Sequence, residues 1–456
     1  MSRLFFLPLL CLVQVLLMID AIVVTALPAI AADLRVDEAH LPWVGAAYLV
    51  AFGGFLVVGG RTGDLFGHRI TLIAGLSLFT VASLLCGLAD TPALLFAGRA
   101  AQGLGAAFAS PAAFALVTTR YPEGLARNRA LGIWSAVGTG GTLAGSALGG
   151  VVADLAGWRW VFLINVPAAI VLLVAVVLLL PRDPARAPGR IDIGGALLLT
   201  GGAVSIVTAA VTAEDGVDLT VMLFAVTGAG LVAAFVVVER RVRQPIVRLG
   251  LLANPYVRVA NLFTVLGVPT VHSVNWFSSF YMQNELGMSA TQAGLGLIPA
   301  SAVIVLLSTR SGAMAARVSV RTMFLAAAAA TACSLAALMF ITEGGSYWTH
   351  VLPGVVLMGV SGGLSYAPSL IAATTGVPRD EQGLAGGMQN TSSQLGGAIG
   401  LALLNTVAVA AGGYGAAFMW ALVLPVLMAL CALTLPRRDS FPAAPGALPA
   451  EHAAHH

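Results

Sequence analysis

Read from its first residue, the chain alternates long apolar runs with short polar ones, and the runs share one size. Fourteen can be marked, at roughly 6–28, 41–60, 70–89, 92–118, 130–152, 160–181, 191–212, 219–238, 259–282, 291–309, 321–342, 348–374, 384–411 and 414–435. Each is close to the roughly 20 residues that an α-helix needs to cross a bilayer. Inside lipid every backbone N–H and C=O has to bond within the protein, so such runs are helices. The pattern predicts an all-α polytopic membrane protein of fourteen spans joined by short loops.

Composition sharpens this. Of 456 residues, 58% are hydrophobic and 9% charged, with a mean hydropathy of +0.93. Soluble domains carry about 25% charged residues, so a soluble fold is excluded. All 23 basic residues are arginine. Without lysine there is neither a Walker A loop nor a Schiff base, and ATP hydrolysis by this chain is not expected. If the chain moves solutes, an ion gradient or a partner must supply the energy; neither a cofactor nor a nucleic-acid partner is expected. Cys11, Cys86, Cys333 and Cys431 lie in apolar runs and read as small hydrophobes.

Charge also orients the chain. With the N-terminus inside, 20 arginines fall on the cytoplasmic side, Arg35 and Arg159 fall outside, and Arg99 lies within a span. That split follows the positive-inside rule and places both termini in the cytoplasm. The all-arginine basic set points to a high-GC bacterial genome, and the expected location is the bacterial inner membrane. The opening run is too long for a cleaved signal and is interrupted by Asp20. The tail 437–456, rich in Pro and Ala, is expected to be disordered.

An internal repeat divides the spans. Gly60 to Arg69, after span 2, is echoed by Gly312 to Arg321, after span 10, at an offset of 252. Gly105 and Pro111 in span 4 are echoed by Gly362 and Pro368 in span 12, at an offset of 257. Residues 1–181 and 241–436 are therefore expected as two six-helix halves flanking two extra central helices within 182–240. Repeats with a binding site between them near the midplane mark secondary transporters.

Several segments carry a more specific likeness. Gly60-Arg61-Thr62-Gly63-Asp64-Leu65-Phe66-Gly67-His68-Arg69 resembles the loop motif G-x-x-x-D-x-x-G-x-R of the major facilitator superfamily, and Arg99 to Gly105 matches its R-x-x-Q-G-x-G motif. Gly141, Gly145, Gly149 and Gly150 resemble its glycine-rich antiporter motif, with Ser146 where Pro is usual. Trp158 to Pro167 is similar to the opening of span 6 in the fourteen-span drug:proton antiporters (EmrB/QacA-type). The first-span motif of those proteins, L-D-x-T-I-V-N-V-A-L-P, appears as Ile19 to Pro28 with Asp20 one residue closer to the proline. The resemblance implies the major facilitator fold and proton-coupled efflux of amphipathic drugs or natural products by alternating access, with the chain acting as a monomer. The alternatives are an uptake symporter for a small metabolite and a membrane sensor that does not transport. It also implies that Gly60, Asp64, Gly67 and Arg69 form a latch between the halves, the alternative being a solvated turn.

The residues themselves point to where chemistry would sit. Asp20 and Arg99 are the deep charges of spans 1 and 4, each about 10–12 Å below the outer helix end. Leaving either alone in lipid costs about 3 kcal/mol, so a pair is expected. Asp20 would exchange protons and Arg99 set its pKa; a permanent structural ion pair is the alternative. Adding 252 to Asp20 gives His272, followed by Asn275 and Trp276. His272 either titrates in the substrate cavity or packs as a neutral hydrogen-bonded residue. Gln102, Gln283, Gln389, Asn390 and Gln394 are further cavity candidates, or bonds between helices. The span 5 glycines would let a neighbouring backbone approach closely. With one buried carboxylate on offer, neutral or singly charged substrates are expected, and no metal site.

Overall fold

The computed structural model of the chain describes residues 3–37, 40–121, 133–134, 145, 149–181, 193–213, 218–242, 249–314, 318–341, 345–377, 382–411 and 413–436. Among these the regular structure is helical, and twelve helices are long and apolar enough to cross a membrane. The expected second span is a helix, Pro42–Phe66, of which Pro42–Leu56 forms a shorter apolar stretch. Most of the expected fifth span, 130–152, lies outside the described residues.

In chain order the helices are α1 (Arg3–Met18), α2 (Leu27–Leu34), α3 (Pro42–Phe66), α4 (His68–Gly87), α5 (Pro92–Arg120), α6 (Arg159–Leu163), α7 (Asn165–Leu179) and α8 (Ile193–Thr212). Then come α9 (Leu219–Glu239), α10 (Pro255–Asn284), α11 (Ala290–Met314), α12 (Val320–Leu338), α13 (Leu352–Thr374), α14 (Gln382–Ala410), α15 (Tyr414–Ala421) and α16 (Val423–Leu433). Between α1 and α2 the first span tightens into a 3₁₀ stretch, Ile19–Ala26. Polar caps start several helices: Thr91 and Asn254 each stand before a proline, which opens a helix at no loss because its missing N–H would be unpaired there.

The segment expected as a loop, Gly60 to Arg69, is almost wholly helical. α3 runs on through Phe66, and α4 begins at His68. Apolar periodicity ends near Gly60, but polar residues beyond the lipid continue a helix until the backbone is broken. Gly67 breaks it, at φ 112°, a region open to glycine.

The repeat is visible in the packing. α5 lies against α3 and α4; α13 lies against α11 and α12 in the same way. Glycine makes both contacts possible: a Cβ on Gly103 would stand 2.2 Å from the Tyr48 carbonyl oxygen, and one on Gly359 would stand 2.4 Å from that of Ala300. The α8–α9 hairpin meets both halves, through α3 and α14.

The halves are not equally joined at both ends. At the arginine-poor end one apolar cluster runs from Ile22, Ile30 and Val44 through Trp276, Phe280 and Leu297. At the arginine-rich end Phe263, Phe324 and Met428 pack within the C-terminal half alone. There the halves meet along the hairpin, where Val58 and Phe235 join Val257 and Met388.

Candidate functional site

Arg99, on α5, is only 1% exposed. Its Nε donates to the Val44 carbonyl at 2.7 Å, and its Nη1 donates to Gln102 Oε1 at 2.9 Å. The guanidinium lies over the Tyr48 ring, 4.6 Å from its centroid, and 5.9 Å from that of Phe162. Gln102 Nε2 donates to Ser83 Oγ at 2.7 Å, and Cys86 Sγ donates to Gln102 Oε1 at 3.6 Å. The Tyr48 hydroxyl donates to the Leu17 carbonyl at 3.1 Å. One cation thus ties five helices of the N-terminal half together. A planar guanidinium suits this place, since it hydrogen-bonds at its edge while its face stacks on rings.

Leu17 leads directly into the segment that carries Asp20. The Asp20 backbone lies in the 3₁₀ stretch Ile19–Ala26, while its side chain lies outside the described residues. That winding bears on the shortened motif. An α-helix turns about 100° per residue and a 3₁₀-helix about 120°. Over the six steps from Asp20 to Ala26 the tighter winding adds about 120°, close to the roughly 100° that the missing residue removes. The local winding therefore restores, to within about 20°, the direction that the full-length motif would give residue 20 relative to Pro28.

The glycine motif bears on the same stretch. Gly141 lies outside the described residues, and Gly145 is buried on a helix. A Cβ on Gly149 would stand 2.4 Å from the Ile22 carbonyl oxygen, and one on Gly150 would stand 2.1 Å from that of Ala290. The pair seats one helix on the first span and on the start of α11, in the other half. Just beyond, Asp154 Oδ2 accepts the Thr291 backbone N–H at 2.8 Å. Loss of hydration against the neighbouring helix alone would raise the Asp154 carboxyl, but hydrogen bonds from Thr291, Ser289 and Ala290 outweigh it and hold the carboxyl below its usual range.

The remaining expected residues are dispersed. Gln102 belongs to the Arg99 network, inside one half. His272 is half-buried on α10, its Nε2 about 3.5 Å from where a Cβ on Gly397 would stand. Asn275 is half-buried beside it. Trp276 stacks on Phe280, with ring centroids 5.7 Å apart, in the wall of a 290 Å³ cavity shared with Leu41, Asn405 and Tyr414. Gln283 bonds back to Ser279 on its own helix. Gln389 donates to Thr264 and so joins α14 to α10. Asn390 is exposed. The Gln394 Cβ would stand 2.7 Å from a Cβ on Gly53, at the contact between halves. The structure thus gathers Arg99 and Gln102 into one network and distributes the others along α10 and α14.

In the latch motif, Gly60 lies near Pro111, and the Asp64 side chain falls outside the described residues. Arg69 Nη2 donates to the Val177 carbonyl at 2.7 Å, reaching the last turn of α7. There a cation meets the negative end of a helix dipole.

Other partners went unread in the sequence. Thr391 Oγ1 donates to the Gly53 carbonyl across the halves at 3.2 Å. Trp158 Nε1 donates to Asp33 Oδ2 at 3.0 Å; Arg159 pairs with the same oxygen and donates to the Ala89 carbonyl at 3.2 Å. Glu239, at the end of α9, is 4% exposed. Its neighbours Arg240 and Arg241, both exposed, make it look like a surface charge in the sequence.

The family model described as the Major Facilitator Superfamily matches residues 9–239 and 259–454. The chain belongs to the major facilitator superfamily. Membership makes it a multi-pass membrane transporter rather than an enzyme. Among curated members, it is 38% identical to the cephamycin export protein of Amycolatopsis lactamdurans, over 93% of this chain and 91% of that protein. It is also 38% identical to the puromycin resistance protein of Streptomyces alboniger, over 87% of this chain and 80% of that one. The tetracenomycin C resistance and export protein of Streptomyces glaucescens matches at 31%, over 85% and 72%. The superfamily fold appears as well in a crystal structure of a POT family transporter in complex with 5-aminolevulinic acid, with a TM-score of 0.69 and 15% identity over 94% of each chain.

Proposed function

We propose that this transporter is a fourteen-span, proton-coupled exporter of amphipathic natural products, working by alternating access in the bacterial inner membrane with both termini cytoplasmic. The relatives named for export of, or resistance to, antibiotics support the substrate class. The observation that carries the coupling is Arg99, a fully buried cation joined through Tyr48 to the backbone just before Asp20.

Facing Arg99, Asp20 stays ionised; moved away from it into a drier setting, it takes up a proton. A proton entering down 100 mV supplies about 2.3 kcal/mol from charge alone. On the positive-inside orientation the arginine-poor end is the outer one. Its continuous apolar cluster then closes the outside in the state described here. Asp64 and Arg69 serve as the inner latch, formed when the cavity turns outward. Trp276, His272, Asn275 and the α14 amides line the substrate path, which takes neutral or singly charged compounds.

The test is proton flux in liposomes holding the purified chain. Adding a lipophilic monocation on one side should drive protons the opposite way, and Asp20→Asn should abolish uphill export while keeping downhill exchange. Full gradient-driven export by that variant would overturn the assignment.

A further inference from the structure

Away from the Arg99 network, a groove of about 840 Å³ opens on the flank of the molecule between the α8–α9 hairpin, α10, α14 and the final span. Leu199 and Phe235 of the hairpin, Val265 of α10, Leu403 of α14 and Trp420 of the final span line it. Pro269 and Gly400 pack tightly together there, a Cβ on the glycine reaching 2.3 Å from the proline ring.

The groove has a polar mouth and an apolar length. Arg258 lines the mouth and is exposed, and Arg240 and Arg241 stand exposed at the end of the helix that supplies Phe235. Deeper in, Asn261 and Ser392 are spent locally: Ser392 Oγ donates to Asn261 Oδ1 at 2.8 Å, and Asn261 Nδ2 donates to the Val257 carbonyl at 2.8 Å. What remains along the walls is hydrocarbon. From Arg258 to Pro269 the groove follows α10 for about 17 Å, close to one leaflet's share of a hydrocarbon core about 30 Å thick. A compact solute would leave most of that length empty. The cationic mouth, at the level where headgroups lie, selects a negative charge at one end only.

We propose that this groove seats one acyl chain of an anionic phospholipid, with the phosphate held at the mouth by Arg258 and the charge complemented by Arg240 and Arg241. Basic pockets between membrane helices bind such headgroups, each arginine contributing about 1 kcal/mol, or roughly fivefold in affinity. The site is separate from the coupling site and does not rest on the transport reading.

Native mass spectrometry of the full chain, delipidated in detergent and offered phosphatidylglycerol or phosphatidylcholine, tests it. One phosphatidylglycerol should be retained in preference to phosphatidylcholine, and Arg258→Gln should weaken its retention about fivefold. Leu403→Trp, which fills the groove from an exposed position, should remove the bound lipid while circular dichroism stays unchanged; Val265→Trp replaces it if that variant does not fold. Equal retention of both lipids, or retention untouched by Arg258→Gln and by the folded tryptophan variant, would overturn the proposal.

Discussion

The two halves share a packing scheme and differ in what they bury. In both, one helix lies between two others and glycine brings backbones together, at Gly103 and at Gly359. The polar groups at these joints are unlike. In the C-terminal half Thr331 and Ser361 share a hydrogen bond of 2.7 Å, and Ser334 donates to the Gly354 carbonyl at 2.7 Å. In the N-terminal half the joint runs from Ser83 through Gln102 to Arg99. Hydroxyls that bond one another or a helix backbone are cheap to bury; an arginine is not. Packing alone therefore explains the hydroxyl joint. The charged joint requires a further reason, and the proton coupling proposed above is the one we offer.

The sharpest way to break the comparison is Arg99→Lys. It keeps the charge but cannot donate to Val44 and Gln102 while stacking on Tyr48. Gradient-driven transport in proteoliposomes should be lost, whereas Ser361→Ala at the other joint should keep it. Equal activity of the two variants would reduce Arg99 to a packing residue. Gly103→Val and Gly359→Val should next reveal the shared scaffold, each lowering thermal stability in detergent by about 1–3 kcal/mol. A large effect in one half only would show that the packing is not duplicated.

A smaller effect is expected where the halves meet at Asp154. Its carboxyl is held below the usual range, so its contribution is present above the ordinary carboxylate value and lost as pH falls through the lowered one. Label pairs across the arginine-poor rim should stay close at neutral pH and separate below about pH 4. Asp154→Asn should widen them at neutral pH and remove the pH dependence, and because the residue is exposed the effect is about 1 kcal/mol or less. Comparable in size, Thr391→Val removes the bond to Gly53 and should shift the balance between closed and open forms by about 0.5–1.5 kcal/mol, read from the same labels.

How much of this was written in the sequence follows from what lipid enforces. A bilayer demands runs of fixed length, so twelve of the expected spans and the buried cation Arg99 were legible. Beyond the lipid that demand ends, which is why the helical extension through Phe66 read as a loop. Nothing in Ile19 to Ala26 marks tighter winding, because apolar side chains satisfy either helix. Contacts across the halves, such as Asp154 on Thr291, depend on register between helices far apart in the chain. Periodicity within one helix does not encode it. The amides of α14 looked alike in sequence, yet Gln389 joins two helices, Gln394 meets Gly53 and Asn390 is exposed.

The stretch from Ile19 to Ala26 has a mechanical consequence. If its six steps from Asp20 relaxed to ordinary α winding, residue 20 would swing about 120° around the helix axis and the span would shorten by about 3 Å. The ends need not tilt: α1 is held through Leu17 and Tyr48, and α2 through Asp33 and Arg159. A change of pitch between two anchored ends turns a carboxylate as a screw turns in its thread. Rotation at residue 20 would then be geared to a small axial pull on the first span, against which Gly149 packs at Ile22 while Gly150 packs on Ala290 of the opposite half.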